Sequence, residues 1–428
     1  MLSREDNELI TQTNASTPMG NLMRRYWLPA LLSEEISAPD CPPVRVRLLG
    51  EDLVAFRDTQ GRIGVIGERC AHRGTSLFFG RNEECGLRCV YHGWKYDVDG
   101  NVLETPAEAN ASDFAKKLHH SAYPTHEAGG VIYAYLGPRD KMPLFPNYEW
   151  TQVPLEQTYV TKSLLECNYL QGLEGECDSS HLSFLHRAFS NERNQPLYKI
   201  DTSPFYETEE TDFGVRLIAT RNAADGQHYL RLSAFVMPVY GCVPAGRPTN
   251  ELEGYEIHTY VPADDTHCWR YDIGFRRDRA VRDDEVHRRK QISPDYTRIR
   301  NARNNYLQDR QAQKTVNFTG IEDFLNHDAC ATESMGAIFD RSKEHLGVSD
   351  KAVIAVRKFL LTAVKELQDG KEPPHVVRDP RRNWFPHVDC FAFLLPRNVP
   401  WRQHFDYLME SSSKENPASF AARQKAAS

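Results

Sequence analysis

Residues 70–94 open with Cys70-Ala71-His72-Arg73-Gly74 and close with Cys89-Val90-Tyr91-His92-Gly93-Trp94. The pattern is C-x-H, sixteen residues, then C-x-x-H. Around it, from Val44 to Leu136, the chain runs in short alternating stretches: VRVRLLG, DLVAFRD, GRIGVIG, GLRCVYHGWKYDVDGNV and GGVIYAYLG. Period-two alternation punctuated by glycine and Asp/Asn predicts a small antiparallel β domain. Asp97-Val98-Asp99-Gly100-Asn101 reads as one of its hairpin turns. Two thiolates and two imidazoles brought together by two turns of such a domain make a metal site.

Zinc accepts a Cys2His2 set, but its histidines usually form a separate H-x3-5-H pair. Here each arm supplies one cysteine and one histidine. That suits a binuclear 2Fe–2S centre with both thiolates on one iron and both imidazoles on the other, the Rieske arrangement. Histidine ligation raises the reduction potential above that of an all-cysteine cluster, so the centre can accept and pass on an electron. Gly74 and Gly93 permit tight loop backbones, and Tyr91 and Trp94 can shield the cluster. Cys85 is read as a bystander. Cys41, Cys167, Cys242, Cys268, Cys330 and Cys390 lack a second cysteine nearby and are read as small buried hydrophobes. Ten cysteines in 428 residues without a secretory signal do not form a disulfide framework.

Working outward, 428 residues exceed what one core serves, so two domains are expected. The reading places a helical segment at 1–40, with Thr17-Pro18 as a helix start and Met23, Tyr26 and Trp27 as an apolar face. The β domain occupies 41–150, a second domain 151–410 and a flexible tail 411–428. The proline-bearing stretch Gly137 to Pro154 marks the boundary. In the second domain a helix is expected around 168–187. Strands follow at Val215–Arg221, Tyr229–Val236, Tyr255–Val261 and Trp269–Phe275, and helices near 280–310, 321–345 and 349–368. Runs of strands followed by runs of helices indicate an α+β fold. A formal charge of -7 excludes a global pull toward nucleic acid. No run of about 18 apolar residues points to a membrane span, and a cytoplasmic location is expected. The charged stretch Arg276 to Lys290 is read as a solvated face.

The second constellation is Asp178-Ser179-Ser180-His181-Leu182-Ser183-Phe184-Leu185-His186, or D-x-x-H-x4-H. Two histidines and a carboxylate with open coordination positions are what a mononuclear Fe(II) oxygenase needs. On a helix Asp178 and His181 are neighbours, but residues five apart diverge by roughly 140°. Both histidines reach one metal only if the helix ends or distorts between them. A third, anionic ligand is sought in the later helix. Asp328 is the first candidate, with Glu322, Asp323 and Glu333 competing and His327 a further donor in principle.

Together the two constellations resemble the oxygenase (alpha) subunits of Rieske non-haem iron aromatic ring-hydroxylating oxygenases, in the phthalate 4,5-dioxygenase-like branch. The similar stretches run from MGNLMRRYWLPALLSEE at Met19 to TGIEDFLNHDACATESMGAIFDRSKEHLG, ending at Gly347. The resemblance implies a second domain with an antiparallel sheet covered by helices, of helix-grip type. It implies Cys70 and Cys89 on one iron of the cluster, His72 and His92 on the other, and His181, His186 and Asp328 on the mononuclear iron. Asp178 then bridges His181 to His92 of a neighbouring subunit in a homotrimer or stacked hexamer. A separate NAD(P)H-dependent flavin and iron–sulfur reductase would supply electrons. The implied reaction is cis-dihydroxylation of an aromatic carboxylate resembling phthalate or chlorobenzoate. A monooxygenase or O-demethylase and a non-catalytic electron carrier are the alternatives.

An aromatic carboxylate needs a cation in an apolar pocket. Arg247 is the first candidate, with Arg231 and Arg221 behind it. Ser179 is a candidate hydrogen-bond donor.

Overall fold

The computed structural model describes residues 1–189, 197, 201–244, 254–277, 279–282, 285–286, 291–385 and 387–411. Arg247 and the tail beyond Ser411 lie outside the described residues. The alternating N-terminal runs form three small antiparallel sheets. One joins Val44–Leu48, Glu51–Arg57, Ile63–Gly67 and Ala122–Tyr123 in chain order. A second joins Arg81–Glu83, Gly86–Arg88, Lys95–Tyr96 and Val102–Glu104. The third pairs Trp27–Leu32 and Thr125–Ala128 with Val131–Tyr135 between them. The turn at 97–101 is built as its residues dictate: the Asp97 carboxylate accepts from the backbone of Asp99 and Asn101, and Gly100 takes φ +84°.

The 1–40 segment is helical only in part. Thr17 caps a helix at Pro18–Met23, its hydroxyl accepting from Gly20 N. Trp27 does not continue that face; it starts the strand Trp27–Leu32, all six residues of which are buried. Burial on both faces of a strand erases the alternation that marks one from sequence. The helix Arg4–Thr11 docks far along the chain, through Asn168 Nδ2 to Thr11 O (2.8 Å) and Tyr169 OH to Ile10 O (2.7 Å).

The second half is an eight-stranded antiparallel sheet. Its order is Thr158–Leu165, Cys268–Phe275, Tyr255–Pro262, Tyr240–Pro244, Gln227–Val236, Gly214–Asn222 and Phe205–Glu210. Gln227–Val236 divides one edge between two partners: its end pairs with Tyr240–Pro244, its start with Phe391–Pro396. The helix Lys351–Gln368 covers this sheet with Val353, Val356, Leu360 and Val364, one stripe at helical spacing. Each such side chain contributes roughly 2 kcal/mol by leaving water. The helix Tyr169–Cys177 lies across the sheet's other strands. Gly172 allows that approach, since a Cβ there would stand 2.1 Å from the Tyr260 ring.

Three helix expectations are corrected. No α-helix spans 280–310 among the described residues; Ser293-Pro294-Asp295-Tyr296 makes a turn, with Tyr296 N bonded to Ser293 O (2.9 Å). The helix expected over 321–345 is confined to Phe324–Glu333. The helix expected over 168–187 ends at Cys177. No described helix is long and apolar enough to cross a membrane.

Candidate functional site: two metal centres and a cavity

The two Cys/His loops share one hydrogen-bond plan. Cys70 N donates to Thr75 O and Gly74 N returns to Cys70 O (2.9 and 2.8 Å). Cys89 N donates to Trp94 O and Gly93 N returns to Cys89 O (2.8 and 3.0 Å). Gly74 and Gly93 hold φ +74° and +76°, where a side chain would be strained. The loops thereby bring the His72 and His92 rings to 4.5 Å between centroids. Trp94 stacks flat on His72 (4.7 Å, 7°), and Tyr91 lies against His92 (3.8 Å).

Both cysteines are buried. Burial raises the Cys89 thiol above its ordinary value, so a thiolate there needs a positive partner. His72 Nδ1 is buried with no hydrogen-bond partner, which a metal bond would satisfy. Tyr96 OH accepts from Ala71 N (3.1 Å), which turns its own hydrogen toward Cys70 Sγ (3.1 Å). Ligands of one tetrahedral zinc lie roughly 3–4 Å from one another. Among the described residues the set whose donor atoms all lie within 4.8 Å of each other is His181, His186 and Asp328, not the loop donors. The wider spread of the four loop donors fits two bridged irons better than one ion.

The second centre begins where the helix Tyr169–Cys177 stops. The Asp178 carboxylate accepts from Ser180 N (2.6 Å) and His181 N (3.1 Å). That local bonding competes with the next helical turn and ends the helix. A single 3-10 turn, His181–Ser183, follows. The irregularity that two histidines five apart require is therefore present, but as a helix end and a 3-10 turn ahead of His186. The two rings stand 5.0 Å apart.

His186 Nε2 lies 3.0 Å from Asp328 Oδ1, yet it is buried without a hydrogen bond of acceptable geometry. His181 Nδ1 is likewise buried and unpartnered, 3.6 Å from Asp178 Oδ2. Burial opposes ionisation of Asp328, but His186 and Arg270 outweigh it and hold its carboxyl well below the carboxylate range. Burial pushes His186 down, which keeps a lone pair available for a metal. Burial also pulls His181 down, but Asp178 and Asp328 reverse the sign and raise it.

Arg270, fully buried, holds the outer Asp328 oxygen (Nη1 to Oδ2, 3.4 Å), Glu176 (3.4 Å) and Asp272 (2.8 Å). His258 sits 2.9 Å from Glu176 and pairs across strands with Asp272. Arg298, also buried, lies close enough to Asp272 to feel its charge, so the Asp328, Glu176 and Asp272 carboxylates sit among two guanidiniums and His258. Sequence reading missed this group. Its signal was polar residues every second position, Glu256 and His258, Arg270 and Asp272, in strands that are otherwise apolar and aromatic.

A cavity of about 460 Å³ opens beside the three donors. Its floor is one face of the sheet: Leu217 and Ala219, then Arg231 and Ser233, then Val243, then Glu256 and His258. Ser179 and Asp178 line it from the loop. Of the candidate arginines, Arg221 is spent: it is buried and donates to Ser179 Oγ (3.1 Å), Ser179 O (2.6 Å) and Asp201 O (3.1 Å). Arg231 lines the cavity, and its Nε is buried with no acceptor.

Comparison with known proteins identifies the family. Residues 26–123 match the family model of the Rieske [2Fe-2S] domain, and residues 134–420 match that of the LigXa C-terminal domain like family. The chain is 39% identical to the phthalate 4,5-dioxygenase oxygenase subunit of Pseudomonas putida, over 94% of this chain and 95% of that one. The chain is a Rieske non-haem iron oxygenase subunit. This oxygenase is also 33% identical to the 3-chlorobenzoate-3,4-dioxygenase oxygenase subunit of Comamonas testosteroni, covering 96% and 99% of the two chains. Its fold matches the crystal structure of dicamba monooxygenase bound to dicamba, with TM-score 0.59 at 16% identity, over 82% of the oxygenase and 99% of that chain. The oxygenase uses a Rieske-type 2Fe–2S cluster and a mononuclear iron, and the residues described above fit both groups.

Proposed function

We propose that this oxygenase hydroxylates an aromatic carboxylate, with Arg231 receiving the carboxylate in the cavity beside His181, His186 and Asp328. Cys70 and Cys89 would hold one iron of the cluster and His72 and His92 the other. His181, His186 and Asp328 would hold the mononuclear iron. When bound, the cluster supplies the electron and the mononuclear iron the chemistry of O2. The observation that carries the substrate class is Arg231, which lines the cavity with its Nε buried and without an acceptor. The relatives named for phthalate and chlorobenzoate support the same reading.

The protein's own part is placement. Leu217, Ala219 and Val243 offer an apolar bed for a ring. A cavity of about 460 Å³ suits a small aromatic acid, since small-molecule sites span roughly 300–1,000 Å³. A ring lying there displaces water, which limits side reactions. Arg270 keeps the Asp328 carboxylate turned toward His186.

Asp178 is read as the bridge for the electron. Its side chain is part-exposed beside His181, and Val90 and Tyr91 next to His92 are exposed. Those surfaces suit contact between copies of the chain in a homotrimer or stacked hexamer, with a separate NAD(P)H-dependent reductase feeding the cluster. The test is a screen of aromatic acids by O2 uptake with such a reductase supplied, followed by product analysis with labelled O2. Two labelled atoms in the product mean dihydroxylation; one means the monooxygenase or O-demethylase reading. No substrate-dependent uptake with any aromatic acid sinks the substrate assignment.

A further inference from the structure

The helix Phe324–Glu333 meets His186 with side chains at i, i+3 and i+4. Phe324 stacks on the imidazole, centroids 3.5 Å apart at 12°. Asp328 stands at Nε2. On the other side His327 Nδ1 lies 3.2 Å from His186 Nδ1, and the two rings are 19° from parallel. His327 Nε2 in turn lies 2.8 Å from the carbonyl oxygen of Ile321.

The direction of this chain follows from its last member. A carbonyl oxygen only accepts, so His327 Nε2 carries a hydrogen. In a neutral ring Nδ1 of His327 is then a bare lone pair, and it accepts from His186. His186 therefore carries its hydrogen on Nδ1 and presents its lone pair at Nε2, toward Asp328. Two bare acceptors 3.0 Å apart repel unless a cation lies between them. The Ile321 carbonyl is itself fixed, since Asn317 Nδ2 also donates to it (2.9 Å) while Asn317 Oδ1 holds Gly320 N (2.6 Å).

We propose that His327 is a positioning residue, which locks His186 in the Nδ1–H tautomer and so aims Nε2 at a divalent metal shared with His181 and Asp328. The proposal rests on the ligand assignment above. It gives His327 a role beside the metal, where its neighbour Asp328 supplies the ligand.

The experiment uses the full-length enzyme with its cluster intact and its mononuclear iron removed by chelation, titrated with Co(II). H327L is expected to weaken Co(II) binding about 10- to 100-fold, the usual effect of losing such a partner. H327Q, whose amide can accept from His186 and donate to Ile321, should stay within about threefold of wild type. The Rieske absorbance should be unchanged in both. H327L binding Co(II) as tightly as wild type overturns the proposal, as does H327Q failing as badly as H327L. Wild type showing no Co(II) binding removes the ligand assignment, and the proposal with it. Should the leucine variant not accumulate, Co(II)-loaded wild type decides. A hyperfine-shifted N–H resonance from His186 that exchanges slowly in D2O is expected, and its absence overturns the proposal.

Discussion

Replacing Arg231 by methionine keeps the apolar stem and removes the guanidinium, and the consequences can be worked from the cavity. Arg231 Nε is buried without an acceptor, and its charge lies close enough to Arg221 to lower that residue's pKa, after the larger effect of burial. Folding therefore gains little from the charge, and R231M should melt no lower than wild type. A carboxylate substrate would complete the site with charge-assisted hydrogen bonds, about 1.5–3 kcal/mol in total. Losing that corresponds to a factor of about 10–150 in affinity. The assay compares kcat/KM for the best aromatic acid with that for its uncharged amide, reading O2-dependent product. R231M should cost the acid about 10–150-fold, mostly in KM, and leave the amide nearly unchanged. An acid-to-amide preference equal to that of wild type would refute the role of Arg231, even if overall activity fell.

D178N should retain both cluster and mononuclear iron but slow reoxidation of the cluster by about tenfold or more in single turnover with substrate; unchanged reoxidation would remove Asp178 from the electron path. G172A should destabilise the fold by about 1–3 kcal/mol in urea, because its methyl would press into the Tyr260 ring; an unchanged midpoint would mean that helix and strand separate freely. His375 accepts from Tyr148 OH (2.7 Å) and donates to Asp212 O (3.2 Å), and burial lowers its pKa to about 4. A depressed histidine binds its proton less well folded than unfolded, so stability is complete above the unfolded value of about 6.5 and is lost as pH falls toward 4. Urea midpoints should rise between pH 4.5 and 7 in wild type, with a shallower rise in H375Q; identical slopes would discard the argument.

Much of the chemistry was legible in order along the chain. C-x-H and C-x-x-H beside glycines are local features, and each loop's hydrogen bonds close within six residues, so sequence alone shows where two such loops lie. D-x-x-H-x4-H was equally local, and its spacing required the broken helix that Asp178 produces by bonding to Ser180 and His181. Its extent was misjudged because 168–187 is helix-like in composition, while the Asx turn at Asp178 competes with the backbone only once the chain is placed.

Other features depend on distant pairing. Strands buried on both faces, such as Trp27–Leu32, carry no alternation to read. Arg221 and Arg231 are two positions on adjacent strands whose sequence surroundings look alike. Strand register set Arg231 opposite Ala219 on the cavity floor, and the loop at Ser179 took up Arg221. His327 and Phe324 acquire meaning only when their helix lands against His186, 141 residues earlier in sequence. Which donor atoms face a metal is decided by such contacts, because a side chain's tautomer and orientation are fixed by the partners that tertiary folding brings within hydrogen-bond reach.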